Sequence, residues 1–190
     1  MVEDARLAAL ATAGYAVVCV RHHARPRPAE LRVFDHANAH ERPWLRVPQQ
    51  LGTPWTLPVS AAVLAASGRR RQALAAVLAL PAEKALEVAT KKLLGRPRPV
   101  AVTPTTLRDD APDEGPSLPS GHAAIAAAAA YLLTRCAGSP ALGAAAASAA
   151  GLTSWARVQQ GAHWPSDVLA GTLLGVAIAA GLQAGCERLP

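Results

Sequence analysis

The sequence predicts an all-α protein, an integral membrane six-helix bundle with its chemistry gathered at the external ends of the helices. Three observations lead there. First, 51% of the 190 residues are apolar, but the apolar set is mostly alanine, with one Phe and two Tyr. Strand formers are therefore sparse and helix is the default. Second, six apolar stretches recur at 6–20, 53–68, 72–92, 121–136, 140–156 and 167–185, against the roughly 20 residues that span a bilayer. Third, Arg69-Arg70-Arg71 and Arg135 fall in two alternate connections, which the positive-inside rule assigns to the cytoplasm.

The stretches differ in kind. The first, 6–20, is short for a span. Residues 21–50 then carry six arginines, partly offset by Glu30, Asp35 and Glu41. This segment reads as an amphipathic stretch lying on the membrane surface, with Phe34, Trp44, Leu45 and Val47 as candidate anchors. The second stretch opens with Pro54 and Pro58. The third has a charged middle of Glu83, Lys84 and Glu87, and ionisable groups at membrane depth face a bundle interior or a wet cavity. Glu87 precedes Lys91 by four residues, so the two share a helix face and can pair. The fourth and fifth stretches are polyalanine-rich, which suits close helix packing in lipid. The last runs from Val168 to Ala184 without a charge. A soluble helical bundle is the competing reading of composition alone. The length makes one domain of 1–190, with 1–52 a peripheral helix and interfacial segment and 53–190 the core.

Several classes of function are disfavoured. Cys19, Cys136 and Cys186 show neither C-x-x-C spacing nor an even count, so they read as inert thiols rather than a disulfide framework or a zinc site. The Asp35-His36-x3-His40 cluster reads as a solvated loop or interfacial helix, so no metal site is expected. The net charge of +6 comes from scattered arginines with few aromatics, which points away from nucleic acid and towards a membrane surface. The N-terminus carries Glu3 and Asp4 and has no basic leader region, so no cleavable signal peptide is expected.

Three motifs carry the chemistry. Lys91 is followed by Gly95-Arg96-Pro97-Arg98-Pro99, where the prolines end the helix. Arg98 is thus held beside Lys91 on an extended strut. A guanidinium fork takes two phosphate oxygens while the lysine adds a point charge. Arg96 is the weaker candidate, placed to meet lipid headgroups. Pro119-Ser120-Gly121-His122 opens a helix, where Ser120 is a natural N-cap. Free N–H groups and a glycine there let an anion approach closely, and His122 is placed to give a proton to a departing oxygen. In Arg157-x5-His163-x3-Asp167, the acid fixes the imidazole tautomer and leaves Nε2 free to attack phosphorus. Arg157 adds a third phosphate clamp. By the loop charges, all three motifs fall at external helix ends.

These residues resemble the three signature motifs of the type 2 phosphatidic acid phosphatases, a superfamily that includes vanadium haloperoxidases and glucose-6-phosphatase. The resemblance is tight over about 84–171. It implies a single membrane-embedded phosphatase domain, multi-pass in a bacterial plasma membrane, with its site on the extracytoplasmic side and no metal or other cofactor. It implies His163 as a nucleophile forming a phosphohistidine, Asp167 as its orienter, and His122 as general acid and later activator of water. Lys91, Arg98, Ser120, Gly121 and Arg157 become the phosphate binders. The expected partners are a lipid phosphate substrate and the bilayer, not nucleic acid, with a homodimer left open. One departure stands out: the family's serine before the arginine is Ala156 here, with Ser154 two residues earlier.

Within this resemblance a polyprenyl (undecaprenyl-type) diphosphate and a phosphatidate or phosphatidylglycerophosphate remain alternative substrates. The alanine-, arginine- and proline-rich composition suits a high-GC bacterium, which needs carrier-lipid recycling, and favours the first. A vanadium-dependent haloperoxidase is a further alternative, weakened by the small size and the lipid-compatible last helix. A serine protease using Ser120 lacks the glycine of a nucleophile elbow. A non-catalytic scaffold or transporter would leave the transfer chemistry unused.

Overall fold

A computed structural model describes residues 2–188, in which the only regular structure is helical. The elements are α1 (Val2–His22), α2 (Pro28–Ala39), a short α3 (Arg46–Gln49), α4 (Thr56–Ala66), α5 (Arg70–Leu94), α6 (Gly121–Cys136), α7 (Pro140–Gln159) and α8 (Pro165–Cys186). The six apolar stretches reappear as α1, α4, α5, α6, α7 and α8. Among the described residues, α8 is the one helix long and apolar enough to cross a membrane by itself, and α4 is apolar but only 11 residues long. α5 has its charged middle, α6 is only 16 residues long, and α7 mixes its alanines with Gly, Ser, Thr, Arg157 and Gln159.

α6 is the central helix, and α4, α5, α7 and α8 all pack against it. Its buried face is almost entirely alanine, from Ala123 to Ala129, with Ile125 and Leu132. Small side chains allow the backbones to approach. Gly171 and Gly175, one helical turn apart on α8, face the backbone of Ser120 and Ala124, and a Cβ at either position would collide with it. α8 is thereby pressed against the first turn of α6. This contact carries the PSGH and His-x3-Asp segments towards each other, and Ser120 N–H donates to the carbonyl of Asp167 across it (3.0 Å).

α1 lies along α8, with Gly14 against Leu173 and Ala8 against Gly181. Its start is tied to the far end of the bundle, where the buried Asp4 accepts hydrogen bonds from Tyr131 (2.5 Å) and Arg135 (3.2 Å). Arg69, the N-cap residue of α5, and Arg70 and Arg71 of its first turn lie at that same end. The motif residues occupy the other.

The 21–50 segment departs from expectation. Phe34 and Leu45 are fully buried, while Trp44 and Val47 are exposed. Phe34 packs on Trp164, with ring centroids 4.9 Å apart, and forms a small core with Ala37 and Val158. Two of the four anchors are therefore core residues. The pattern misled because one face of a short amphipathic helix looks alike whether protein or lipid covers it. The three cysteines are free; Cys19 and Cys186 are buried and Cys136 is partly so.

Candidate active site

Four helix ends converge: the C-terminus of α5, the N-terminus of α6, the C-terminus of α7 and the N-terminus of α8. Lys91 stands in the last turn of α5, which Gly95 closes in the left-handed conformation (φ 58°) with its N–H on the Lys91 carbonyl (3.0 Å). Lys91 Nζ donates to Glu87 (2.6 Å), the pair foreseen from their spacing, and Glu87 also accepts from Lys84 (2.7 Å). The Glu87 carboxylate lies directly under Gly121, where a Cβ would come within 2.7 Å of it. Glycine at this position therefore lets the first and second motifs touch.

Ser120 caps α6 as expected, its Oγ accepting from Ala123 N–H (3.5 Å). His122 sits on the first turn, partly exposed, against Gly52 from the turn before α4. It is close enough to interact electrostatically with Arg157 and His163. The two histidines thus share one site, together with guanidinium groups from two different segments.

Arg98 is buried. Its Nε donates to the Glu114 carbonyl (2.7 Å) and its Nη1 to the Ala162 carbonyl (2.8 Å). Burial pulls this guanidinium below its usual range; Asp167 opposes that and the like charge of Arg157 adds to it. It remains charged all the same. Two cations that repel each other in a desolvated pocket make a place for an anion. Arg157, 2% exposed, donates through Nη1 to Asp110 (2.7 Å) and Gln160 (3.0 Å). Its buried Nε has no hydrogen-bond partner among the described residues.

His163 lies in the loop between α7 and α8, 4% exposed. Its Nδ1 is 3.6 Å from Asp167 Oδ2, long for a hydrogen bond and within reach of an ion pair. Nδ1 turned towards the acid leaves Nε2 directed away from it. Burial pushes the imidazole down to about 4, with Asp167 pulling upward and Arg98 and Arg157 pushing further down. A neutral ring is the form that can attack. Asp167 is fully buried. Its Oδ2 accepts from Trp164 N–H (2.9 Å), tying down the start of α8, and its Oδ1 accepts from Arg96 (2.5 Å).

Arg96 is thus a correction. It is fully buried, far from any headgroup, and binds Asp167, Ser166 and Glu30. Asp110 was also missed in the sequence, though it stands beside Arg157 and 4.0 Å from His122 Nε2. The unassigned acidic pair Asp109-Asp110 between the first two motifs was the available signal. Asp109 adopts a left-handed backbone (φ 54°). The turn sends the two carboxylates apart, Asp109 to Gln160 (2.9 Å) and Arg46 (2.6 Å), Asp110 to Arg157. Ser154 does not replace the absent motif serine. Its hydroxyl lies against Thr172 of α8 (3.5 Å), and Ala156 is buried.

The comparisons agree with this architecture. The family model described as the PAP2 superfamily matches residues 72–185. No curated protein sequence matches the chain. Two crystal structures share the fold at low identity. One is LpxE from Aquifex aeolicus, at TM-score 0.71 and 24% identity over 82% of this chain and 94% of that one. The other is the first transmembrane PAP2-type phosphatidylglycerolphosphate phosphatase from Bacillus subtilis, at TM-score 0.69 and 22% identity over 100% of this chain and 98% of that one.

Proposed function

Because the chain belongs to the PAP2 superfamily and is a phosphatase, we propose that it is a metal-independent lipid phosphate phosphatase. It hydrolyses a polyprenyl (undecaprenyl-type) diphosphate or a related phospholipid through a phosphohistidine. One observation carries this reading: a buried, neutral His163 stands between the Asp167 carboxylate and two guanidinium groups, one with an unpartnered buried N–H.

In the reaction, Lys91, Arg98 and Arg157, with the N–H groups at the Ser120–Gly121 helix start, hold the phosphoryl oxygens. Charge stabilisation of this kind is usually the largest catalytic contribution. His163 Nε2 attacks phosphorus while the bond to the leaving oxygen breaks, and His122 supplies that oxygen with a proton. Asp167 faces the Nδ1–H, which keeps its proton, and its negative charge stabilises the positive ring. Water then gives its proton to His122 and attacks phosphorus. The P–N bond breaks, inorganic phosphate departs, and both histidines return to their starting forms.

A lipid substrate is supported by the surface beside the cradle. A groove of about 410 Å³ between α4, α6 and α7 is lined by Val59, Val63, Ala126, Ala130 and Ala146, and by Leu51 and Thr53. Gly52, between those two, lies against His122. Apolar side chains such as Leu10, Val17, Val63, Val77 and Leu169 are exposed along the outer faces of α1, α4, α5 and α8, as expected of helices that meet hydrocarbon. In this reading residues 1–190 form one membrane-embedded domain of six helices, in a bacterial plasma membrane. The site faces the extracytoplasmic side, opposite the Arg69–Arg71 connection. The fold shared with the B. subtilis enzyme favours phosphatidylglycerophosphate as the second substrate to test.

The test is phosphate release by purified protein from a prenyl diphosphate, phosphatidate and phosphatidylglycerophosphate, with alkaline quench to trap phosphohistidine, for the native chain and for His163→Ala. Turnover of one lipid with a trapped phosphoenzyme, both abolished by His163→Ala, is expected; the loss should reach at least about 10⁴-fold. Turnover without a phosphohistidine, or one that survives the substitution, would overturn the mechanism.

A further inference from the structure

Arg96 connects the His163–Asp167 pair to a residue that lies outside the family match. Its Nη1 donates to Asp167 Oδ1 (2.5 Å) and Ser166 Oγ (2.6 Å), its Nη2 to Glu30 Oε2 (2.9 Å), and its Nε to the Ala24 carbonyl (3.3 Å). The guanidinium lies over the Trp164 ring, 5.8 Å from its centroid. Glu30, on α2, uses both carboxylate oxygens: Oε1 accepts from the N–H (3.0 Å) and hydroxyl of Ser166, while Oε2 takes Arg96 and lies 3.6 Å from His22 Nδ1. Glu30, Arg96, Ser166 and Asp167 are all buried. Charges removed from water in this way are costly unless paired and fully bonded.

Resting on the phosphohistidine reading above, we infer that Glu30 is a positioning residue for the nucleophile, acting through Arg96 and Asp167. Arg96 and Asp167 alone make a neutral pair, whose carboxylate is partly spent on the guanidinium. Apart from the His22 imidazole at its outer end, the buried chain with Glu30 carries two carboxylates and one guanidinium, so a net negative charge faces His163 as its ring becomes positive. The second carboxylate also shares the Arg96 guanidinium, leaving Asp167 Oδ2 to Trp164 N–H and His163. The chain is rigid, because α2, the proline strut and the start of α8 each contribute one member and Trp164 and Phe34 are packed between them.

The remaining groups around His163 are Arg98 from the strut, Arg157 from α7 and His122 from α6. None of these is altered by a change at Glu30, so a shift in the titration of His163 on Glu30→Gln reports the chain itself. The isosteric Glu30→Gln makes the chain neutral. It is expected to lower kcat about 10- to 100-fold, the range typical when the partner orienting a ligand histidine is removed. The acid limb of kcat/KM should move to lower pH, because a positive ring has lost support. Glu30→Asp keeps the charge and should keep the limb in place, with a smaller loss of kcat.

Both variants are measured on the full-length protein beside the native chain, with phosphohistidine trapped by alkaline quench. A Glu30→Gln enzyme with native kcat and native acid limb would overturn the inference. So would a kcat loss shared equally by Glu30→Asp with neither limb moved, since packing alone would explain it. Should Glu30→Gln not fold, Arg96→Lys decides. It retains the charge but not the fork, and must lower kcat without displacing the limb; a native kcat, or a displaced limb, rejects the proposal. Absence of phosphohistidine in the native chain would instead reject the mechanism on which the inference rests.

Discussion

Arg157 and Asp110 are joined by a 2.7 Å hydrogen bond from Nη1 to Oδ1, and the other oxygen of Asp110 lies 4.0 Å from His122 Nε2. Gln49 also donates to the same carboxylate oxygen (2.8 Å). Burial works to raise the Asp110 carboxyl, but the charge and hydrogen bond of Arg157 outweigh it and hold the group below its usual range. Asp110 is therefore ionised at neutral pH and, under the mechanism proposed above, competes with a phosphate oxygen for the Arg157 guanidinium.

Asp110→Asn should therefore bind phosphate-like anions more tightly. The Asp110 side chain is 57% exposed, and exposed ion pairs contribute only about 0.2–1 kcal/mol. The inhibition constant for vanadate should fall about 2- to 5-fold. A weaker vanadate affinity in the variant would mean that Asp110 supports the cradle instead of competing for it.

The titration of His163 sets the acid limb. Its buried imidazole sits at about 4 rather than 6.5, and the attacking form is neutral. Lowering the pH through 6.5 therefore leaves the nucleophile intact, and activity is lost only as the pH falls through the lower value. The profile of kcat/KM, which reports the free enzyme, should stay level down to about pH 5 and then drop. An acid limb centred near 6.5 would show a solvated imidazole.

Substitution of His122 should discriminate between leaving groups. An alkoxide needs a proton on departure, whereas the phosphate leaving a diphosphate does not. His122→Ala is expected to slow hydrolysis of a lipid monophosphate by about 10²–10⁴-fold, the usual contribution of general acid catalysis. A prenyl diphosphate should suffer far less. Equal losses on the two substrates in parallel assays would remove His122 from the proton-transfer role.

Much of this was legible in the chain as written. The apolar, alanine-rich stretches marked α1, α4, α5, α6, α7 and α8, because composition is a local signal. The i,i+4 spacing of Glu87 and Lys91 foretold their pairing, and proline chemistry foretold the strut that carries Arg98. The Ser120 cap was equally local. The 21–50 segment was not legible in the same way, since burial of Phe34 and Leu45 depends on α7 and α8 lying over them.

The sequence by itself determined which groups are present and roughly where six of the helices run: three cations, two histidines and an acid at or beside helix ends. Only the tertiary structure decided that Arg96 faces Asp167 and Glu30, or that Asp110 reaches Arg157. Those partners lie 71, 66 and 47 residues apart. No local spacing rule spans such separations. What joins Arg96 to its partners is the packing of α2, α7 and the start of α8 around the proline strut, and burial then requires Arg96, Asp167 and Glu30 to find one another.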